Sequence, residues 1–141
     1  MHKISLVGLF CMVFLNAIAQ NDEMVANLAK KTPPILLGST TEQICGSQLS
    51  YLGEVKQSEE KTYRVATFYI LLGDSCRRIT RLLVYDKALE YLGNYYTHGV
   101  LPVSIDGSKL TGEDFPETDF STGLPDSIQI AKNQWAKFEK K

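Results

Sequence analysis

Histidine is nearly missing from this chain: two of its 141 residues are His. His2 lies in the first residues, so His98 stands alone in the rest of the sequence. A metal site needs several ligands at workable spacing, and one histidine among Tyr and Thr supplies one. Cysteine is also scarce, with three in the chain and no C-x-x-C spacing of the kind redox catalysis uses. An excess of one charge is missing too. Fifteen Lys and Arg face 16 Asp and Glu, for a net charge of −1. A general nucleic-acid binder would carry a basic stripe, so that class is disfavoured. There is no internal repeat, linker or composition shift, and the length fits a single domain with one modest core.

What is present begins with MHKISLVGLFCMVFLNAIAQ. A basic start at Lys3, an apolar stretch from Ile4 to Leu15 and small residues at Ala17 and Ala19 have the three parts of a secretory signal. The sequence therefore predicts a signal over residues 1–19 and a secreted or periplasmic domain over 20–141. The apolar run is shorter than the roughly 20 residues a membrane span needs, so no anchor is expected after signal removal. Phe10 directly before Cys11 disfavours a lipoprotein. With Cys11 inside the signal, Cys45 and Cys76 remain as an even pair in an oxidising compartment, and one disulfide is expected.

Along the predicted domain, QNDEMVANLAKK places Met24, Val25, Leu28 and Ala29 at helical spacing. Its acids come first and its lysines last, as the helix dipole favours, and Thr32-Pro33-Pro34 stops it. The stretch around Ile44, Leu49 and Leu52 reads equally as a helix or as an irregular entry into a strand. Residues Thr62 to Leu72 and Ser75 to Asp86 alternate as strands, and Gly73-Asp74 between them predicts a two-residue hairpin turn with Leu71 facing Cys76. EYLGNYYTHG predicts a third strand, and VSIDGSKL a further hairpin turning at Asp106-Gly107. GEDFPETDFSTGLPD, without Lys or Arg, reads as a solvated acidic loop. SIQIAKNQWAKFEKK reads as a last strand through Ile128 and Ile130, with a short helix carrying Trp135 and Phe138 as an option. Connections this short exclude parallel crossovers. The expected fold class is α+β: an antiparallel β-meander of about five strands, a short N-terminal helix, the optional C-terminal helix and one disulfide.

The apolar strand running into Gly73-Asp74-Ser75 resembles the way GDSL-type hydrolases present their nucleophile. That family also implies a strand-to-helix turn after the serine, separate oxyanion donors and an Asp-x-x-His pair. Here a strand follows Ser75, and Tyr95 stands three residues before His98. A serine without an adjacent base is a weak nucleophile, so the three matching residues are better explained as a hairpin turn. Glu113, Asp114, Glu117 and Asp119 offer oxygen atoms for calcium but lack the alternate spacing and distal Glu of an EF-hand loop.

The four arginines, Arg64, Arg77, Arg78 and Arg81, all lie in or beside the central hairpin. The expected register puts Arg77 and Arg81 on one face with Phe68, Ile70 and Ile79, joined by Asn94, Tyr96 and His98 from the third strand, with Tyr91 and Tyr95 on the other. Arg and Tyr are favoured at interfaces, which makes Arg77, Arg81, Tyr96 and His98 the candidate binding face. The competing reading is a solvated sheet face whose arginines lie along apolar neighbours. The functional expectation is an exported, non-catalytic, monomeric binding or accessory module for a protein or envelope ligand of anionic character. No catalytic residues, cofactor, metal or nucleic acid is expected. The alternative is a small secreted hydrolase using Ser75 or His98.

Overall fold

The structure, a computed structural model, describes residues 22–37 and 41–141. The expected signal and its cut before Gln20 lie outside the described residues. A helix, α1, spans residues 22–31. The strands are β1 (Ile44–Lys56), β2 (Thr62–Leu72), β3 (Arg77–Tyr85), β4 (Tyr91–Tyr96), β5 (Ser104–Asp106), β6 (Lys109–Thr111), β7 (Thr118–Asp119), β8 (Ser127–Ala131) and β9 (Gln134–Lys140). They form a six-stranded sheet in the order β1-β2-β3-β4-β9-β8 and a three-stranded sheet β5-β6-β7, with every pairing antiparallel. The antiparallel α+β class holds, with nine described strands where about five are expected.

Burial of both faces of the central strands organises the fold. In β3 four consecutive residues, Leu82, Leu83, Val84 and Tyr85, are each 0% exposed. Side chains alternate between the faces of a strand, so such a run must be covered on both sides. On one side α1 lays Leu28 against Ala66, Phe68, Ile70, Leu83 and Tyr85, with Leu36 and Leu37 extending the cover. On the other, Leu110, Phe115 and Phe120 from the small sheet and its loops meet Val65, Leu82, Val84 and Tyr95, with Ile128 and Ile130 beside them. Thr32 ends α1 as expected. Its hydroxyl donates to Leu28 O at 2.6 Å and lies 2.5 Å from the Tyr85 hydroxyl, tying the helix end to β3.

Several expectations are corrected. The stretch around Leu49 is neither helix nor irregular, because β1 is a strand with an extra residue at Cys45 and another at Leu52. Each bulge flips the side-chain phase. Leu49 and Tyr51 thus join the helix-side core, whereas Leu52 and Val55 join the opposite one. Apolar residues three apart in this strand therefore mimic a helix period.

The β2–β3 turn has four residues, not two: Leu72 pairs with Arg77 and Leu71 with Arg78 instead of Cys76. Gly73 (φ 75°) and Cys76 (φ 49°) both take left-handed backbone, and Cys76 N–H donates to Gly73 O at 3.1 Å. The wider tip lets Cys76 reach across the end of β2 to Cys45, with Cα atoms 5.7 Å apart. The shift is by two residues, so every side chain keeps its expected face.

Residues 134–140 form β9 rather than a helix. Asn133 (φ 66°) turns the chain, and Ala136 and Phe138 point inward on alternate positions. The small hairpin turns at Gly107-Ser108, one residue later than expected, since Asp106 pairs with Lys109. The acidic run is not wholly solvated: it contains β7, and Phe115 and Phe120 are 4% and 0% exposed. Among the described residues no helix is long and apolar enough to cross a membrane.

The Cys45–Cys76 bridge, 31 residues apart, pins the outer strand β1 to the hairpin tip. Closing a loop of this span contributes about 3–4 kcal/mol through the unfolded chain. Urea unfolding of the Cys45→Ser/Cys76→Ser double variant should show a loss of that order with the folded circular-dichroism spectrum retained.

Candidate functional site

The structure brings three of the four candidate face residues together. Arg81 pairs across the strands with Tyr96, and its guanidinium lies over that ring at 5.1 Å. The same guanidinium donates to Asn94 Oδ1 at 2.8 Å and to Glu139 Oε2 at 3.3 Å. His98 packs edge-on against Tyr96 with ring centroids 4.3 Å apart. Arg77 stands apart, four residues along β3 or about 13 Å, and its guanidinium meets Glu42 Oε1 at 3.3 Å.

His98 is set by β3. Thr80, fully buried, shares a 2.7 Å hydrogen bond with the Thr97 hydroxyl and accepts the Gly99 N–H at 2.7 Å on its own hydroxyl. The two bonds bracket His98, which takes a left-handed backbone (φ 51°) unusual for a residue other than glycine. Ser75 lies exposed on the hairpin tip, and no hydrogen bond joins it to His98 among the described residues.

The other arginines also meet neighbours, although the buried Arg64 Nε has no hydrogen-bond partner among the described residues. Arg64 reaches Glu54 at 3.1 Å and donates to the Tyr51 hydroxyl at 3.3 Å, while Arg78 lies 5.1 Å from the Tyr69 ring. The arginine-bearing faces are therefore largely saturated by their own neighbours. In the acidic run, Asp119 accepts from Ser108 Oγ and Ser121 N–H, each at 2.8 Å, and these bonds hold its carboxyl below the usual range. Among the described residues no group of three or more His, Cys, Asp or Glu is placed to hold a metal ion.

One expectation about the faces changes. Leu92 is an extra residue in β4 opposite the Val84–Tyr85 step, so Tyr91 turns to the helix side and Tyr95 remains opposite. There the Tyr91 hydroxyl accepts a hydrogen bond from Asn94 Nδ2 at 2.8 Å, extending the Arg81–Asn94 network. Leu92 turns to the other side, against the second core.

That bulge opens onto a feature the sequence reading does not contain. Where β2 and β4 begin and β9 finishes, a cleft of about 780 Å³ is lined by Tyr63, Tyr91, Leu92, Leu124 and Phe138. Lys61, Lys87, Lys140 and Lys141 also line it, with Glu60 and Asp86. The Phe138 ring packs against Gly93, where a Cβ would come within 2.4 Å of it, and it leans on Tyr95 at a centroid distance of 5.0 Å. Gly93 is thus what lets β9 bring its aromatic ring into the cleft wall. The Tyr95 hydroxyl donates to Pro125 O at 2.5 Å, fixing the loop that carries Leu124. Four separate segments meet here, two of them through the β4–β9 pairing, and reading 134–140 as a helix hides that pairing.

No protein-family model, curated protein or solved structure matches the chain.

Two measurements follow from this geometry. Thr80→Val keeps the shape but strands the groups around His98, and should cost about 1–3 kcal/mol in urea unfolding. It should also move the His98 ring resonances as the contact with Tyr96 loosens. Burial pushes the Tyr85 phenol up from 10.0 to about 12 against a smaller lowering by its Thr32 bond. Burial also raises Tyr95, with Asp126 and Tyr63 adding to it, and raises Tyr91 against the Asn94 bond and Arg81. Stability is then fully present below pH 10, where both folded and unfolded phenols keep their protons. Above it the unfolded chain releases protons the folded chain retains, so stability falls as pH rises from about 10 toward 12. The phenolate signals of Tyr85, Tyr91 and Tyr95 should appear together with unfolding rather than before it.

Proposed function

We propose that this chain is an exported, non-catalytic binding module whose ligand enters the cleft between the starts of β2 and β4 and the end of β9. One observation carries the reading. An opening of about 780 Å³ with apolar and aromatic walls lies against the core of a small domain, within the size range of small-molecule sites. The arginine-bearing face supports the reading less, because Arg81 already serves Asn94 and Glu139. A ligand there would have to displace those bonds.

Export rests on the expected signal over residues 1–19 and is compatible with the Cys45–Cys76 bridge. The hydrolase alternative draws no support from the geometry around Ser75, which has no base within hydrogen-bond reach among the described residues. His98, exposed and edge-on to Tyr96, has no positioned partner for proton transfer among the described residues.

The neutral dye Nile red tests the cleft without involving charge. Its fluorescence should rise saturably, with one dye per folded chain, and Leu124→Trp, which fills the cleft, should weaken binding at least tenfold without lowering Tm by more than a few degrees. Dye binding that survives Leu124→Trp and is lost in Tyr96→Ala would move the site to the arginine face.

A further inference from the structure

The charges that line this cleft are four lysines and two acids. All four arginines meet a carboxylate or an aromatic ring, and Lys31 and Lys109 pair with Glu90 and Glu117. Lys61, Lys87, Lys140 and Lys141, like Lys30, Lys56, Lys132 and Lys137, form no ion pair among the described residues, but these four line one cleft, where Lys61 also lies 5.8 Å from the Tyr63 ring centroid. Against them stand Glu60 and Asp86. Asp86 directs one carboxylate oxygen to its own turn, accepting the N–H groups of Ala88 at 2.8 Å and Glu90 at 3.0 Å. The rim thus carries more lysines than acids above an apolar wall.

The apolar groups are recessed. Tyr63 and Tyr91 are 5% and 4% exposed, and the large apolar side chains that do project, Ile35, Ile44, Val103 and Trp135, lie outside the cleft. A membrane-docking surface pushes apolar side chains outward to be buried in lipid. Here the apolar part of a ligand must come in, and a negative group must stay at the mouth.

We infer that the cleft takes a single-chain amphipathic anion, a long-chain carboxylate whose tail lies along Leu92, Leu124 and Phe138 and whose head sits among Lys61, Lys87 and Lys140. The inference rests on the proposed use of the cleft and adds the chemical class of its occupant. The lysine stems can lie along the tail while their ammonium groups meet the head in water. The head contributes discrimination and salt dependence, and the tail contributes most of the affinity.

The test uses one tail and three heads, with the mature chain titrated calorimetrically below micelle-forming concentrations. Dodecanoate should bind one per chain, about tenfold tighter than dodecanol at low salt, as expected for two or three exposed cation contacts. Dodecyltrimethylammonium should bind more weakly than either. From octanoate to dodecanoate the affinity should rise about threefold to fourfold per buried methylene. In the Lys87→Gln/Lys140→Gln double variant the dodecanoate and dodecanol affinities should fall within about threefold of each other. Equal affinities for dodecanoate and dodecanol in the unaltered chain would overturn the anion assignment and leave the cleft reading standing. Binding of none of the three, or binding unaffected by Leu124→Trp, would overturn both. Capture by phosphatidylglycerol vesicles that dodecanoate does not compete away would also overturn it, placing the lysines at a lipid surface.

Discussion

The burial of β3 on both faces is the constraint on which the remaining structure depends. Leu82, Leu83, Val84 and Tyr85 leave no polar side to present to water, so a lone meander of these strands would expose one apolar face or the other. The chain solves this with two unlike covers. A short helix with Leu28 at its centre lies on one face, and a small sheet carrying Leu110 and flanked by Phe115 and Phe120 lies on the other. The two covers explain why a sequence of this length has two cores of modest size. They also explain why its second half, polar on casual reading, is threaded with buried aromatic residues.

The cleft follows from the same arrangement. The covers do not close over the end of the sheet where β2 and β4 start, and the bulge at Leu92 turns that side chain away from the helix side. β9 then fits beside β4 only because Gly93 has no side chain to meet Phe138 and the backbone of Glu139. An opening with a wall of Leu92, Leu124 and Phe138 is what remains. Its lysines come from the β1–β2 connection, the β3–β4 turn and the end of β9, which brings together cations far apart in sequence. The arginines behave in the opposite way. They cluster in the sequence, and each meets a carboxylate or an aromatic ring in or next to the sheet.

How much was legible follows from what the period of a strand can reveal. The helix around Leu28, the stop at Thr32-Pro33-Pro34, the central hairpin and the Cys45–Cys76 bridge were readable because each is a local signal or simple pairing arithmetic. The faces assigned to Arg77, Arg81, Asn94 and Tyr96 hold because a register error of two residues leaves every face unchanged. The misreadings occur where an added residue breaks alternation. The bulges in β1 space Leu49, Leu52 and Val55 as a helix would, and the bulge at Leu92 moves Tyr91 to the opposite face. Trp135 and Phe138, three apart, concealed the inward pair Ala136 and Phe138. The cleft itself was illegible because it needs the long-range β4–β9 pairing, which no local pattern encodes.

The proposed site can be located directly by nuclear magnetic resonance of methyl-labelled and aromatic-labelled protein titrated with dodecanoate. The expected result is a saturable set of shifts at the methyl groups of Leu92 and Leu124 and the ring of Phe138, with Tyr96 and His98 unmoved. Shifts centred on Tyr96 and His98, or no saturable shifts at all, would contradict it.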